Sequence, residues 1–203
     1  DMAEDHAWVQ ALVHSLRKRD WEVVQQLAAR GGSVLPDLIP ALDDPNPDQR
    51  QYALLVFKQL GPAAAPAVPQ LQAAMDDKTT SWLALDALGA VGPDAAPVWE
   101  HMARVYREGR FQGADAIAAL ANVDSAKTYA LIQQDLVDVD AAKRKSTSFA
   151  SQGLKASCGG CVRDLYDEAL RKETVPEVQK ELLERWGGWA LPGMLSEPLL
   201  KKY

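Results

Sequence analysis

A short glycine–proline segment recurs along the chain at a spacing of about thirty residues, and this recurrence restricts the fold more than any other feature. Residues 60–66 (LGPAAAP) and 91–97 (VGPDAAP) align when one is shifted by 31 positions. Gly31 lies one interval upstream, and Asn122 lies about one interval downstream. A repeat of this length indicates a chain built by stacking one supersecondary unit on the next.

Each repeat predicts two helices joined by a tight turn. Gly61 can cap an apolar helix in a conformation that other residues rarely adopt. Pro62 cannot continue that helix, whereas Pro66 is tolerated in the first turn of the next one, where its missing N–H would have no partner. Asp43-Asp44 and Asp76-Asp77 fall between units, where carboxylates can cap the following helix.

The apolar residues inside the units recur at helical spacing, as Val68, Leu71 and Met75 illustrate. The first helices of successive units are expected to start near residues 20, 48, 79, 110, 140 and 176. This spacing predicts about six antiparallel helix pairs, and alternating strand patterns are nearly absent. We therefore predict one all-α domain over residues 1–203, with the clearest repeats at 31–108 and less regular ones at 140–203.

The repeat resembles a known family. Residues 35–44 (LPDLIPALDD) resemble the second helix of a HEAT repeat of the bacterial PBS-lyase-like subtype. Residues 49–53 (QRQYA) are similar to the first helix that follows, with Arg50 at the family's usual Arg position. Residues 60–71 follow the same pattern, but in the next unit Ser81 stands where the family's Asp–Arg ladder has an Arg.

The resemblance implies a HEAT-like α-solenoid, wound as a right-handed superhelix, whose second helices line a concave side. HEAT proteins are mostly binding scaffolds, so it also implies a non-catalytic module that binds a partner protein there, in a role such as an adaptor or a toxin neutraliser. A few HEAT-like proteins are DNA glycosylases or bilin lyases, which stay alternatives. The sequence has no phosphate-binding glycine loop, serine-hydrolase elbow or zinc-protease motif, so we predict no catalytic residue and no cofactor.

The repeat alignment also sorts the tryptophans. Trp99 aligns with Val68 and should face the core, whereas Trp82 aligns with Gln51, off the apolar stripe, and should be exposed. The remaining tryptophans are expected to seal the ends of the row of helices: Trp8, Trp21, Trp186 and Trp189. The residues predicted to contact a partner are Trp82, Glu100, His101, Arg104 and Arg107.

The charge balance is acidic, with 22 Lys and Arg against 28 Asp and Glu and a net charge of -6. This balance disfavours nucleic acid as a partner. No apolar stretch approaches the ~18 residues of a membrane helix, so no membrane insertion is predicted.

Three basic clusters are interpreted as solvated helix ends or faces: Arg17-Lys18-Arg19, the spaced set Arg104, Arg107 and Arg110, and Lys143-Arg144-Lys145. Four aspartates without calcium-loop spacing are interpreted as caps or surface charges, and no metal site is predicted: Asp115, Asp135, Asp138 and Asp140.

The two cysteines form a Cys158-Gly-Gly-Cys161 pair. The pair can be a local disulfide or two inert thiols, a redox-sensitive pair, or part of a metal site, although the other ligands of a zinc site are not nearby in sequence. A redox-gated binder is therefore a further alternative.

If Met2 is the native start the protein is expected in the cytoplasm, and if Asp1 follows a cleaved signal peptide it is expected in the periplasm. The oligomeric state is left open.

Overall fold

A computed structural model of the protein describes residues 2–16, 20–110, 113–156 and 161–187, with side chains described over 6–16, 20–110, 113–154 and 162–185. Within these ranges the chain forms helices and the turns between them, and no strand occurs. The all-α prediction is therefore confirmed.

The α-helices are α1 (Met2–Ser15), α2 (Trp21–Ala29), α3 (Leu35–Leu38), α4 (Pro47–Leu60), α5 (Val68–Ala74), α6 (Ser81–Val91), α7 (Trp99–Arg107), α8 (Ala114–Val123), α9 (Ser125–Asp135), α10 (Ala141–Ala150), α11 (Cys161–Lys172) and α12 (Pro176–Gly187). Short 3₁₀ segments connect several of them: Gly31–Val34, Ile39–Asp43, Gly61–Ala67, Gly92–Val98 and Ser151–Ala156. We call α2, α4, α6, α8, α10 and α12 the first helices, because each begins near a position that the repeat predicts.

The glycines of the glycine–proline turns end their helices as predicted, but the second prolines do not lie in the first turn of the next α-helix. Gly61 ends α4 with φ of 55° and Gly92 ends α6 with φ of 78°, which favours glycine at both positions. Pro66, however, lies inside the 3₁₀ segment rather than in the first turn of the next α-helix, which begins only at Val68. Because Pro62 and Pro66 both lack an N–H, regular α-helical hydrogen bonding cannot be established between them.

Side chains cap several first helices, but the capping residues are not the aspartate pairs that the sequence predicts. Asn46 caps α4 by accepting a hydrogen bond from the Asp48 N–H, and Asp140 caps α10 by accepting one from the Ala142 N–H. Asp44 accepts from the Asn46 N–H instead, and Asp77 accepts from the Thr79 N–H. These two aspartates stabilise the turns before the helices and do not cap the helices themselves.

The first helices pack on one another in chain order. Helix α4 lies between α2 and α6, and α6 lies between α4 and α8. The 3₁₀ segment Ser151–Ala156 packs closely on α8, while α10 contacts both α8 and α12. One continuous apolar core runs along this series, and it includes large side chains such as Phe57, Leu88 and Tyr166.

Two arginines, Arg50 and Arg144, link neighbouring units through the same pattern of contacts. Arg50 at the start of α4 donates a hydrogen bond to the Asp44 carbonyl oxygen and lies 3.2 Å from the Asp77 carboxylate. Arg144 at the start of α10 bonds in the same way to the Asp138 carbonyl oxygen and pairs with the Glu173 carboxylate. The expectation that Arg144 is solvated is therefore wrong, since only 12% of its side chain is exposed.

Candidate partner-binding site

A groove of about 620 Å³ runs between α7 and α9, and we call it the α7–α9 groove. Helix α7 is the second helix of the unit that begins with α6, and α9 is the second helix of the unit that begins with α8. The residues that line it are Trp99, Glu100, Ala103, Arg104, Arg107, Glu108, Lys127, Ala130, Leu131 and Gln134. Three of the five residues predicted to contact a partner, Glu100, Arg104 and Arg107, are therefore brought together here.

The floor of the α7–α9 groove is fixed by a buried hydrogen bond between the two helices. Trp99 is 5% exposed, which confirms its predicted place in the core. Its indole Nε1 donates a hydrogen bond of 3.1 Å to the Thr128 hydroxyl, which itself donates to the Asp124 carbonyl oxygen. The Lys127 ammonium lies 5.4 Å from the centre of the Trp99 ring, within cation–π range. The groove therefore has a rigid base.

The rim of the α7–α9 groove carries exposed charges, and cations are in excess. The Arg104 side chain is 62% exposed, and its nearest carboxylate, that of Glu108, lies 3.9 Å away. Lys127 pairs with Glu100 at 3.3 Å, and Arg107 donates a hydrogen bond to the Gln134 amide oxygen at 3.3 Å. Exposed pairs of this kind contribute only about 0–1 kcal/mol. An incoming carboxylate can therefore replace them at little cost.

His101 lies on α7 but faces α5 rather than the α7–α9 groove. Its ring contacts the Gln72 amide at 2.9 Å and the Asp76 carboxylate at 3.2 Å, and its side chain is 12% exposed. The expectation that His101 is solvated or hydrogen-bonded fits this place. The two contacts tie the unit of α7 to the unit of α5, and they leave the ring little surface for a partner.

Trp82 is separated from the α7–α9 groove as well. It is 56% exposed, as predicted, and it lines a different groove between α6 and α8, together with Lys58 and Arg110. At the start of the chain, Trp8 is 39% exposed under the Arg30 guanidinium and Trp21 is 46% exposed. Both rings are therefore partly covered, and their sealing role stays a prediction.

The cysteine prediction falls at the edge of the described structure. Cys158 lies outside the described residues, and Cys161 begins α11 with a side chain that is not described. The side chains of Trp186 and Trp189 and the Arg17-Lys18-Arg19 cluster also lie outside these ranges. The disulfide and redox alternatives at Cys158 and Cys161 therefore stay predictions.

Asp135 is a residue whose importance the sequence analysis missed. It was expected to be a cap or a surface charge, but it is 2% exposed at the end of α9. Lys143 Nζ lies 3.0 Å from its Oδ1 atom, and Arg107 Nη2 lies 3.7 Å from the same oxygen. The signal was its register, because Asp135 continues the buried stripe of Thr128, Leu131 and Ile132 along α9.

The environment of Asp135 also alters its neighbours. Burial, with a smaller contribution from the Asp135 charge, raises the pKa of the Tyr106 hydroxyl to about 12. Hydrogen bonding to Asp138, and to a smaller extent the contact with Asp135, raises the pKa of Lys143. Tyr106 is therefore neutral and Lys143 charged under ordinary conditions.

In the described ranges, no group of three or more His, Cys, Asp or Glu side chains is arranged to hold a metal ion. None of the helices described there is both long and apolar enough to span a bilayer.

A comparison of the chain with models of known protein families gives no match. A comparison with curated proteins gives no significant match either.

Proposed function

We propose that the protein is a HEAT-type α-solenoid of about six helix pairs that binds an acidic segment of a partner protein in the α7–α9 groove. Three features support the solenoid. The first helices pack on one another in chain order, and the glycine turns after α4 and α6 have the same backbone form. Arg50 and Arg144, three repeat lengths apart, make matching contacts to the turns before their helices. A row of this kind leaves the second helices available to a partner.

The observation that carries the binding proposal is the cationic rim of the α7–α9 groove. The side chains of Arg104, Arg107 and Lys127 are each 45% exposed or more, although the chain as a whole has a net charge of -6. Local positive charge on an acidic protein selects acidic partners and accelerates their association. The side chains that oppose it within the groove, Glu100 and Glu108, are themselves exposed and weakly paired.

A protein segment suits this groove better than a nucleic acid does. A duplex would meet the repulsion of the whole acidic chain along its length, whereas a short acidic segment contacts only the rim. The partner determines the biological role, so an adaptor and a toxin neutraliser are both compatible with the same surface. The proposal is therefore specific about the chemistry of the partner and about the residues that contact it.

The test is a quantitative pull-down from the source organism with three baits. The first is the natural sequence, the second carries Arg104→Glu and Arg107→Glu, and the third carries Arg163→Glu. Arg163 is an exposed arginine on α11, outside the groove, so it is the control for reversing a positive charge elsewhere on the surface. We expect a partner present in stoichiometric amount with the first and third baits and reduced about tenfold or more with the second.

Two outcomes would contradict the proposal. One is a partner that is recovered in the same stoichiometric amount with the Arg104→Glu, Arg107→Glu bait, which would locate the interface elsewhere. The other is a purified partner whose affinity does not fall with added salt, because exposed charge pairs are screened at high ionic strength. The Arg163→Glu bait should melt at the temperature of the natural sequence. Arg107→Glu brings a second carboxylate near the buried Asp135 and should lower the melting temperature of the double variant, so the pull-down is done at a temperature where all three baits are folded.

A further inference from the structure

A second cleft of about 780 Å³ opens where α10 faces the end of α7 and the turn before α8, and we call it the α10 cleft. Its position follows from the packing of the segment after α10. Gly153 lies so close to α8 that a Cβ atom there would be 2.0 Å from the Ala114 carbonyl oxygen. The end of α10 is thereby drawn onto α8. Seven residues of α10 line the cleft together with Asp135 and Glu181: Ala142, Lys143, Lys145, Ser146, Thr147, Phe149 and Ala150.

Two aromatic side chains line the α10 cleft. Phe149 is 47% exposed, and the Arg185 guanidinium lies 4.5 Å from the centre of its ring. A Cβ atom on Gly113 would lie 3.3 Å from the Phe149 ring, so the glycine gives the ring its room. Tyr106, half-buried, lines the cleft as a neutral phenol. An apolar ligand body can therefore cover surface on both rings.

The α10 cleft also contains a buried acceptor. The Oδ1 atom of Asp135 is fully buried, and it lies 3.0 Å from Lys143 Nζ and 3.7 Å from Arg107 Nη2. Lys143 already donates to the Asp138 carboxylate at 2.7 Å, so it is shared between two acids. A carboxylate has room for several donors, so a ligand with an N–H group can add a second one to Asp135.

The opening of the α10 cleft is positively charged. Lys145 is exposed, lines the cleft and pairs with no acidic side chain in the described part of the chain. Arg107 and Lys143, 45% and 38% exposed, lie beside it on the lining. The acidic groups of the cleft are less accessible, because Asp135 is buried and Glu181 pairs with Arg185 at 2.8 Å. A ligand that enters from solvent therefore meets cations first and an acceptor deeper.

We propose that the α10 cleft binds an aromatic amino-acid residue with a free carboxylate. The ring lies against Phe149 and Tyr106, the carboxylate pairs with Lys145, and the N–H on the α-carbon donates to Asp135. Two sources share this chemistry, the C-terminal aromatic residue of a peptide and a free aromatic amino acid. The peptide is favoured, because its amide nitrogen is neutral, whereas a free ammonium adds a third cation beside Lys143 and Arg107. This proposal does not depend on the α7–α9 groove.

The test is calorimetric titration of the full chain with three probes: N-acetyl-Gly-Gly-Phe, the same peptide as its C-terminal amide, and free phenylalanine. We expect the carboxylate peptide to bind about tenfold or more tightly than its amide, which is the scale of one charge-assisted hydrogen bond. Free phenylalanine binding as tightly as the peptide would assign the site to the free amino acid. Equal binding of acid and amide, or no binding of any probe at about 10 mM, would overturn the proposal.

Three variants locate the site. Lys145→Gln and Phe149→Ala should each weaken binding of N-acetyl-Gly-Gly-Phe about tenfold, and Trp82→Ala, which removes an exposed aromatic ring outside the α10 cleft, should leave it unchanged. Lys145 and Phe149 are both exposed, so the fold should tolerate their loss, and thermal unfolding checks this. Unchanged binding in both cleft variants would contradict the assignment.

Discussion

Arg144 donates two hydrogen bonds to Glu173, from Nε to Oε2 at 2.5 Å and from Nη2 to Oε1 at 2.7 Å. The arginine lies in the first turn of α10 and the glutamate just after α11, so the pair joins two successive units. Glu173 Oε1 also accepts hydrogen bonds from the N–H groups of Thr174 and Val175. One buried carboxylate thus holds both the arginine and the turn before α12.

Loss of this arginine should be costly. Arg144→Ala leaves Glu173, whose side chain is 2% exposed, as a buried charge without its main partner. We expect the free energy of unfolding to fall by about 3 kcal/mol, measured by urea denaturation. Lys172→Ala is the control, because it breaks an exposed pair with Glu168 and should cost less than about 0.5 kcal/mol. Equal effects of the two substitutions would contradict the account.

The same pair should make stability depend on pH at acidic values. Hydrogen bonding to Arg144 holds the pKa of Glu173 below its ordinary value of 4.5. As the pH falls below 4.5, the unfolded chain takes up a proton here before the folded chain does, so the stabilisation is lost with decreasing pH. The difference in unfolding free energy between the natural sequence and Glu173→Gln should be largest above pH 4.5 and shrink below it. A constant difference from pH 7 to about 3 would be inconsistent with this ion pair.

The base of the α7–α9 groove yields a third prediction. Trp99→Phe and Thr128→Val each remove one partner of the buried hydrogen bond between α7 and α9. A double-mutant cycle should give a coupling energy of about 1 kcal/mol. Combined with Trp99→Phe, the distant Tyr166→Phe should be additive to within about 0.5 kcal/mol. Additivity within the Trp99–Thr128 pair would show that the bond contributes nothing to stability.

The contact between Gly153 and α8 can be tested by adding a methyl group. In Gly153→Ala the new Cβ meets backbone atoms of Ala114 and Ala118, which cannot move without displacing α8. We expect a loss of about 1–3 kcal/mol. Gly32→Ala is the matched control, since its nearest neighbour is an oxygen at 3.4 Å, an ordinary contact, and it should change stability by less than about 1 kcal/mol. A tolerated Gly153→Ala would mean that the segment after α10 does not press on α8.

The sequence predicts those features that repeat. The first helices begin within four residues of their expected positions, and the alignment of Trp99 with Val68 and of Trp82 with Gln51 separates the buried from the exposed tryptophan. These features can be predicted because equivalent positions of the repeat have similar surroundings in each unit.

The features that the sequence analysis missed depend on contacts between units. Asp135 and Arg144 are charged residues that would be solvated on an isolated helix, and stacking of the next unit buries them. Their partners are Lys143 on α10 and Glu173 in the turn after α11, so no local pattern reveals the pairing. The α10 cleft was missed for the same reason, since it is lined by four helices and the turn before a fifth.

The central claim, that the α7–α9 groove is the surface that holds a protein partner, is tested most directly by hydrogen–deuterium exchange. The partner recovered with the natural bait is purified, and exchange of the chain is followed with and without it. The account predicts slower exchange over 99–107 and 125–135 in the complex, with no change over 47–60. Protection confined to other helices, with residues 99–107 and 125–135 exchanging as in the free chain, would contradict it.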